Sequence, residues 1–159
     1  MFRIGQSTDI HQLVKNRDLI LGGVKIESEF GLLGHSDADC LIHAIAEAIL
    51  GALALGDLGS HFPDNDPRFK GLSSLVILKE VRQIMEKEGF KIGNVDSLIL
   101  IEKPKMAPHI KNMVANIANA LNCDTTQISV KATRGEKLGY IGRSEGVMAQ
   151  AIVLLESSI

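Results

Sequence analysis

The chain has no tryptophan and a single tyrosine, and aromatic residues make up 4% of its 159 residues. With a hydrophobic fraction of 45%, its core must therefore be built from aliphatic side chains. Cysteine is almost as scarce. Cys40 and Cys123 are the only two, they form no spaced motif, and a pair in a domain of this size does not make a secreted disulfide scaffold. Cys40, set among apolar helix residues, reads as a buried thiol rather than a ligand. No stretch approaches 18 apolar residues without breakers or charge, and the N-terminus has no apolar signal core. A membrane span is not expected. The expected compartment is the cytosol, or an organelle stroma if a transit peptide has been removed. Long acidic or basic runs are also missing, and the net charge is −2. That excludes a general basic surface for nucleic acid, so any anionic ligand must be held by local groups.

What is present is one domain, residues 1–159, long enough to bury its own core. Phe2 to Ile10 reads as a first strand and Leu19 to Ile26 as a hairpin around Gly22-Gly23. Gly31 to Gly34 reads as a loop. Ser36 can cap a helix running to about Leu55, with Asp37 and Asp39 in its first turn. That helix is apolar nearly all round and must lie buried, with His43 and Glu47 as the exceptions on one face. Gly56 to Lys70 reads as loop, Ser73 to Glu88 as a helix stopped at Gly89, and Asn94 to Glu102 as a strand. Pro108 opens a third helix whose apolar stripe includes Ile110, Met113, Val114, Ile117 and Leu121. Strands over Ile128–Ala132 and Gly146–Leu155 flank a glycine-punctuated loop from Thr133 to Gly142. The fold class is α+β (mixed α/β): one mixed sheet with three helices on one face.

Two segments carry the chemistry. Asp9 and His11 are two apart, so on a strand both leave the same face. His43 adds an imidazole from a helix. Alone, a D-x-H triplet arises often by chance, and a histidine in a buried helix is more often a core residue. Together they form a common ligand set for catalytic zinc, one carboxylate and two imidazoles with a position open. Glu47 could orient His43, while Asp39 and His43, one turn apart, are a rival pair. His61 and His109 carry no such signal. Three loops suit a phosphorylated ligand: His35-Ser36 at a helix start; Gly56 to Gly59, followed by Phe62-Pro63-Asp64; and Lys131 to Lys137. In the last, Glu136 could ligate a hard cation.

At these segments the chain resembles the 2-C-methyl-D-erythritol 2,4-cyclodiphosphate synthases. The resemblance spans RIG-x-x-x-D-x-H at residues 3–11, LILGGVKI, GLLGHSDAD, ALGDLGSHFPDNDPRFKG, GNVDSLILIEKPKMAPHI and VKAT-x-x-E-KLGYIGRSEG. It implies a cyclising, CMP-releasing lyase of the non-mevalonate isoprenoid pathway, acting on a CDP-linked methylerythritol 2-phosphate. It implies zinc on Asp9, His11 and His43, and Mg²⁺ or Mn²⁺ at Glu136. Substrate contacts would come from Asp9, His11, His35, Ser36, Asp57, Gly59, Phe62, Asp64 and Asp66. The cytidine side would comprise Ile101, Pro104, Lys105, Met106 and Ala107, with Thr133 on the nucleotide phosphates. Ala132, Glu136, Tyr140 and Arg143 would add substrate contacts, Arg143 matching a family arginine that faces the threefold cavity. Catalytic roles fall to His35, Thr133 and the position of Arg134. The family forms homotrimers with active sites between subunits and sheets facing the threefold axis. Two positions depart from the family pattern. Gln6-Ser7-Thr8 replaces a His-Gly-Phe-like stretch, and Arg134 stands where another threonine is usual. Two other readings share these residues: a zinc-dependent nucleoside-diphosphate hydrolase, and a CDP-binding trimer without turnover.

Overall fold

The computed structural model describes residues 1–158. Strand β1 (Phe2–Lys15) is longer than its apolar pattern suggested and carries His11 inside it. It pairs along most of its length with β7 (Gly146–Ser157), antiparallel, with Asp9 opposite Ala149 and His11 opposite Val147. β5 (Phe90–Leu100) pairs antiparallel with β7, and β6 (Ile128–Thr133) parallel with β5. β4 (Phe30–Leu32), overlapping the stretch expected to be loop, adds a short edge to β1. The five-stranded sheet is thus mixed, in the order β4-β1-β7-β5-β6. β2 (Leu19–Leu21) and β3 (Val24–Ile26) form the separate hairpin. Gly22 and Gly23 sit at φ +59° and +73°, the left-handed values that a two-residue hairpin turn demands at both central positions.

Helices α1 (Cys40–Ala52), α3 (Ser74–Lys87) and α4 (Ile110–Leu121) supply the covering layer. α1 lies on β1, β7 and β5, and α3 packs between α1 and α4. The core between the layers is aliphatic: Leu41, Ile42, Ile45, Ile49, Leu50, Leu78 and Ile99 are fully buried. Close approach of α1 to β1 depends on Gly5. A Cβ there would lie 1.9 Å from the Ala48 carbonyl oxygen, a backbone atom that cannot move aside. Two further short helices, α2 (Leu58–His61) and α5 (Gly139–Gly142), interrupt stretches expected to be loop.

The start of α1 differs from the sequence expectation. Asp39, not Ser36, is the N-cap, and its side chain accepts from the Ile42 N–H. The same carboxylate accepts from the Gly22 N–H at 3.0 Å and the Gly23 N–H at 2.7 Å, which pins the hairpin to the helix. Asp39 is completely buried, and burial pushes its carboxyl up to about 6. Its partners are all backbone donors, so the Asp39–His43 pair suggested by helical spacing does not form. Replacing Asp39 by alanine leaves three backbone N–H groups without their acceptor. We expect Asp39→Ala to cost roughly 2–4 kcal/mol in urea unfolding; a loss below about 0.5 kcal/mol would mean that water replaces the clamp.

Candidate metal centre and adjoining clefts

β1 turns alternate side chains toward α1. Ser7, Asp9 and His11 form three successive rungs on that face. Opposite them, α1 presents Glu47 and His43 one turn apart. Two of the rungs meet the helix: Ser7 donates to Glu47, and Asp9 meets His43. Glu47 also accepts from the Leu58 N–H at 3.0 Å. Both of its oxygens are thereby committed to β1 and the start of α2, so Glu47 does not orient His43 as helical spacing suggested.

Asp9 Oδ2 is the hub. It lies 2.9 Å from His11 Nε2 and 3.3 Å from His43 Nδ1. One ligating atom from each of the three residues falls within 4.8 Å of the others, the only such cluster of three or more metal-ligating side chains among the described residues. Asp39 with His61 does not form a second one; His61 faces the Leu55 carbonyl instead, at 2.9 Å. Burial opposes ionisation of Asp9, but hydrogen bonds and charge from His11 and His43 outweigh it and hold the carboxyl at about 2. Burial likewise works against protonation of His11, while Asp9 and the Leu33 carbonyl more than compensate and raise its pKa. The donor geometry explains why. His11 Nδ1 is 2.8 Å from the Leu33 oxygen, which can only accept. Nδ1 therefore carries a proton, and Asp9 favours a second one on Nε2 when no metal is present. Loss of that second proton frees a lone pair pointing at the hub. The donor set, one ionised carboxylate and two imidazoles, suits zinc.

Around the triad lies a cleft of about 240 Å³, lined also by His35, Ser36, Leu58, Gly59, Phe62, Asp64 and Phe69. Its far wall is the segment after α1. Asp57 caps α2 by accepting from the Ser60 N–H, and Phe62 packs edge-on against Phe69 with ring centroids 5.5 Å apart. His35 Nε2 donates to the Asp66 carbonyl at 3.0 Å, leaving Nδ1 for a ligand. Asp66 does not line the cleft; its carboxylate is taken by Arg68.

A second cleft, of about 380 Å³, gathers Ile101, Pro104, Lys105, Met106, Ala107, Ala132, Thr133 and Arg134 at the C-terminal ends of β5 and β6. It shares no residue with the first. Lys105 and Arg134 have no acidic partner among the described residues. The Glu102 carboxylate accepts from the Gly135 N–H at 2.9 Å and the Lys137 N–H at 3.3 Å, which fixes the loop after Thr133. Glu136 on that loop is exposed at φ +52°. Tyr140 and Arg143 lie outside both clefts; Arg143 pairs with Glu145 at 2.6 Å.

Sequence reasoning missed Ser74 altogether. This buried first residue of α3 places its hydroxyl 2.7 Å from His43 Nε2. It is 31 residues from His43 in the chain, and no spacing rule links them.

A mixed sheet under three helices, with a carboxylate–imidazole centre between strand and helix, is the architecture of a metal-dependent enzyme acting on a small ligand. The chain belongs to the YgbB family, which matches residues 2–156. It is 58% identical over 154 residues to a 2-C-methyl-D-erythritol 2,4-cyclodiphosphate synthase of Chloroherpeton thalassium, covering 97% of this chain and 98% of that one. Among solved structures, it superposes on the bifunctional IspDF of Campylobacter jejuni with a TM-score of 0.95 at 40% identity, covering 99% of this chain and 42% of that one. A CDP complex of Plasmodium falciparum IspF aligns with a TM-score of 0.87 at 39% identity, covering 99% and 97%.

Two expectations follow for the metal. Asp9→Ala and His43→Ala should abolish stoichiometric zinc binding while the fold, read by circular dichroism, persists. Zinc must also displace the extra proton on His11. Below the raised His11 pKa, affinity should therefore fall about tenfold per pH unit, measured by chelator competition. An affinity flat across that range would place the ion on other ligands.

Proposed function

We propose that this chain converts 4-diphosphocytidyl-2-C-methyl-D-erythritol 2-phosphate into 2-C-methyl-D-erythritol 2,4-cyclodiphosphate and CMP. The observation that carries this reading is the match, end to end, to a relative bearing that synthase's name. The site chemistry supports it. In the reaction an oxygen of the 2-phosphate bonds to the β-phosphorus, the bond from that phosphorus to the bridging oxygen breaks, and CMP leaves with the electron pair. No water enters. The chain's task is to position two phosphates and balance charge that accumulates between them.

Asp9, His11 and His43 would hold zinc, which supplies Lewis-acid polarisation of a phosphate oxygen. Glu136, exposed and part of no cluster of three or more metal-ligating side chains among the described residues, suits Mg²⁺ or Mn²⁺ only as a shared ligand with substrate phosphates, the usual mode for that ion. His35 and Ser36 line the first cleft beside the triad and would hold the 2-phosphate and the erythritol. Asp57, through its loop, with Gly59 and Asp64, would bound the hydroxyls. In the second cleft, the apolar side chains of Ile101, Pro104 and Met106 suit a nucleobase. Thr133, Lys105 and Arg134 bring a hydroxyl and two unpaired cations for the nucleotide phosphates. Arg134 is a planar, permanently charged donor and serves as the phosphate contact where relatives of this family use a threonine.

One substrate must reach both clefts, yet within a subunit they share no residue. A homotrimer that sets one subunit's metal cleft against its neighbour's nucleotide cleft resolves this. The sheet face away from the helices is suited to such assembly: Phe2, Ile4, Ile10 and Ile152 are all more than half exposed, an apolar surface of the kind that marks an interface. Sedimentation should give three times 17.2 kDa, and Ile152→Glu should shift it toward the monomer with loss of turnover. A monomeric wild type would rule out shared sites.

Phosphorus NMR of the protein with zinc, Mg²⁺ and the CDP-linked substrate tests the reaction itself. We expect CMP and a cyclic diphosphate in equal amounts, and Glu136→Gln to lower the rate at least tenfold with zinc content unchanged. CMP with a linear diphosphate would mean that water is the nucleophile.

A further inference from the structure

We infer that Ser74 and Asp37 are positioning residues that fix His43 with its proton on Nε2, so that Nδ1 is the atom presented to the metal. The inference rests on the metal reading of the Asp9–His11–His43 cluster. It follows from counting donors. The Asp37 carboxylate only accepts. It takes the Ser74 hydroxyl proton, the Ser74 N–H at 3.0 Å and the Asp39 N–H at 3.1 Å. With its proton committed to Asp37, Ser74 Oγ can meet His43 Nε2, 2.7 Å away, only as an acceptor. Nε2 must therefore donate, and a ring that gives up its other proton to bind a metal gives it up at Nδ1, the nitrogen that faces Asp9. Ser36 Oγ is a second neighbour of Nε2, but at 3.3 Å, and it also accepts the Ala38 N–H.

The two histidines are thus set oppositely. The Leu33 carbonyl holds a proton on His11 Nδ1 and turns Nε2 inward; the Asp37–Ser74 pair holds a proton on His43 Nε2 and turns Nδ1 inward. Outer partners of this kind orient the ring and raise its basicity as a ligand. Ser74 is fully buried and carries the contact from α3, so the third helix helps to set the metal centre although it supplies no ligand.

The test uses purified full chain. Zinc affinity by chelator competition should fall about ten- to a hundredfold in Ser74→Ala, the usual loss for an outer partner of a metal-bound histidine. Ser74→Thr, which keeps the hydroxyl, should recover most of it. The Co²⁺-substituted Ser74→Ala protein should show an altered visible ligand-field spectrum. Ser74→Ala also leaves Asp37 and His43 Nε2 short of a buried partner and should lower the melting temperature of the metal-free protein; a merely structural serine would do that alone and leave zinc affinity and the spectrum as in wild type. Independently of any variant, ¹⁵N–¹H correlation of zinc-loaded wild type should find His43 protonated on Nε2 and His11 on Nδ1. His43 protonated on Nδ1, or a Ser74→Ala protein with wild-type zinc affinity and spectrum, would overturn the inference while leaving the metal centre intact. A wild type that binds no zinc would overturn both.

Discussion

The packing of α1 flat against β1 is the contact on which the rest of this structure depends. It is possible because Gly5 has no side chain where the Ala48 carbonyl passes. Any Cβ at that point would lift the helix by ångströms. The Ser7–Glu47 and Asp9–His43 rungs would part together, because all four side chains span the same interlayer gap. Helix burial, normally an argument about apolar area, here also sets the distance between a carboxylate and an imidazole. The same helix is anchored at its start by Asp39, so hairpin, helix and strand form one rigid frame around the hub.

That frame also makes electrostatic sense of the cluster. A half-buried carboxylate between two imidazoles would be costly if unpaired. Asp9 is instead kept ionised by its neighbours, and it raises the pKa of His11 in turn. Exchange of a proton for a divalent ion at such a place needs no large rearrangement, because the ring orientations are already enforced from outside: by a backbone carbonyl for His11 and by a buried serine for His43.

Much of this was legible in the sequence, and the limits were physical. Alternation along β1 placed Asp9 and His11 on one face, and the all-round apolarity of residues 40–52 placed α1 in the interior. The stripe of α4 gave its buried side, with Met113 and Ile117 inward. Local rules failed where tertiary partners decide. Ser36 is a sound capping residue, but Asp39 wins the position because it can bind two hairpin amides at once. Glu47 shares a helix face with His43, yet the strand opposite advances by two residues for each rung, and Ser7 stands where Glu47 lands. β4 was hidden because three residues at an edge carry too short a pattern. Ser74 was invisible because nothing in a sequence marks a serine as the acceptor for an imidazole 31 positions away. The segments proposed to bind substrate rest on resemblance alone, since turns rich in glycine and aspartate look alike whatever they bind.

Asp9 and His43 are separated by 34 positions, and one lies on a strand, the other on a helix. An ion seated on both is therefore a crosslink as well as a catalyst. It closes a long loop that the unfolded chain leaves open, and its binding energy adds to that of the fold. The tie runs between strand β1 and helix α1, so loading the ion should harden the domain against proteolytic opening of these two layers.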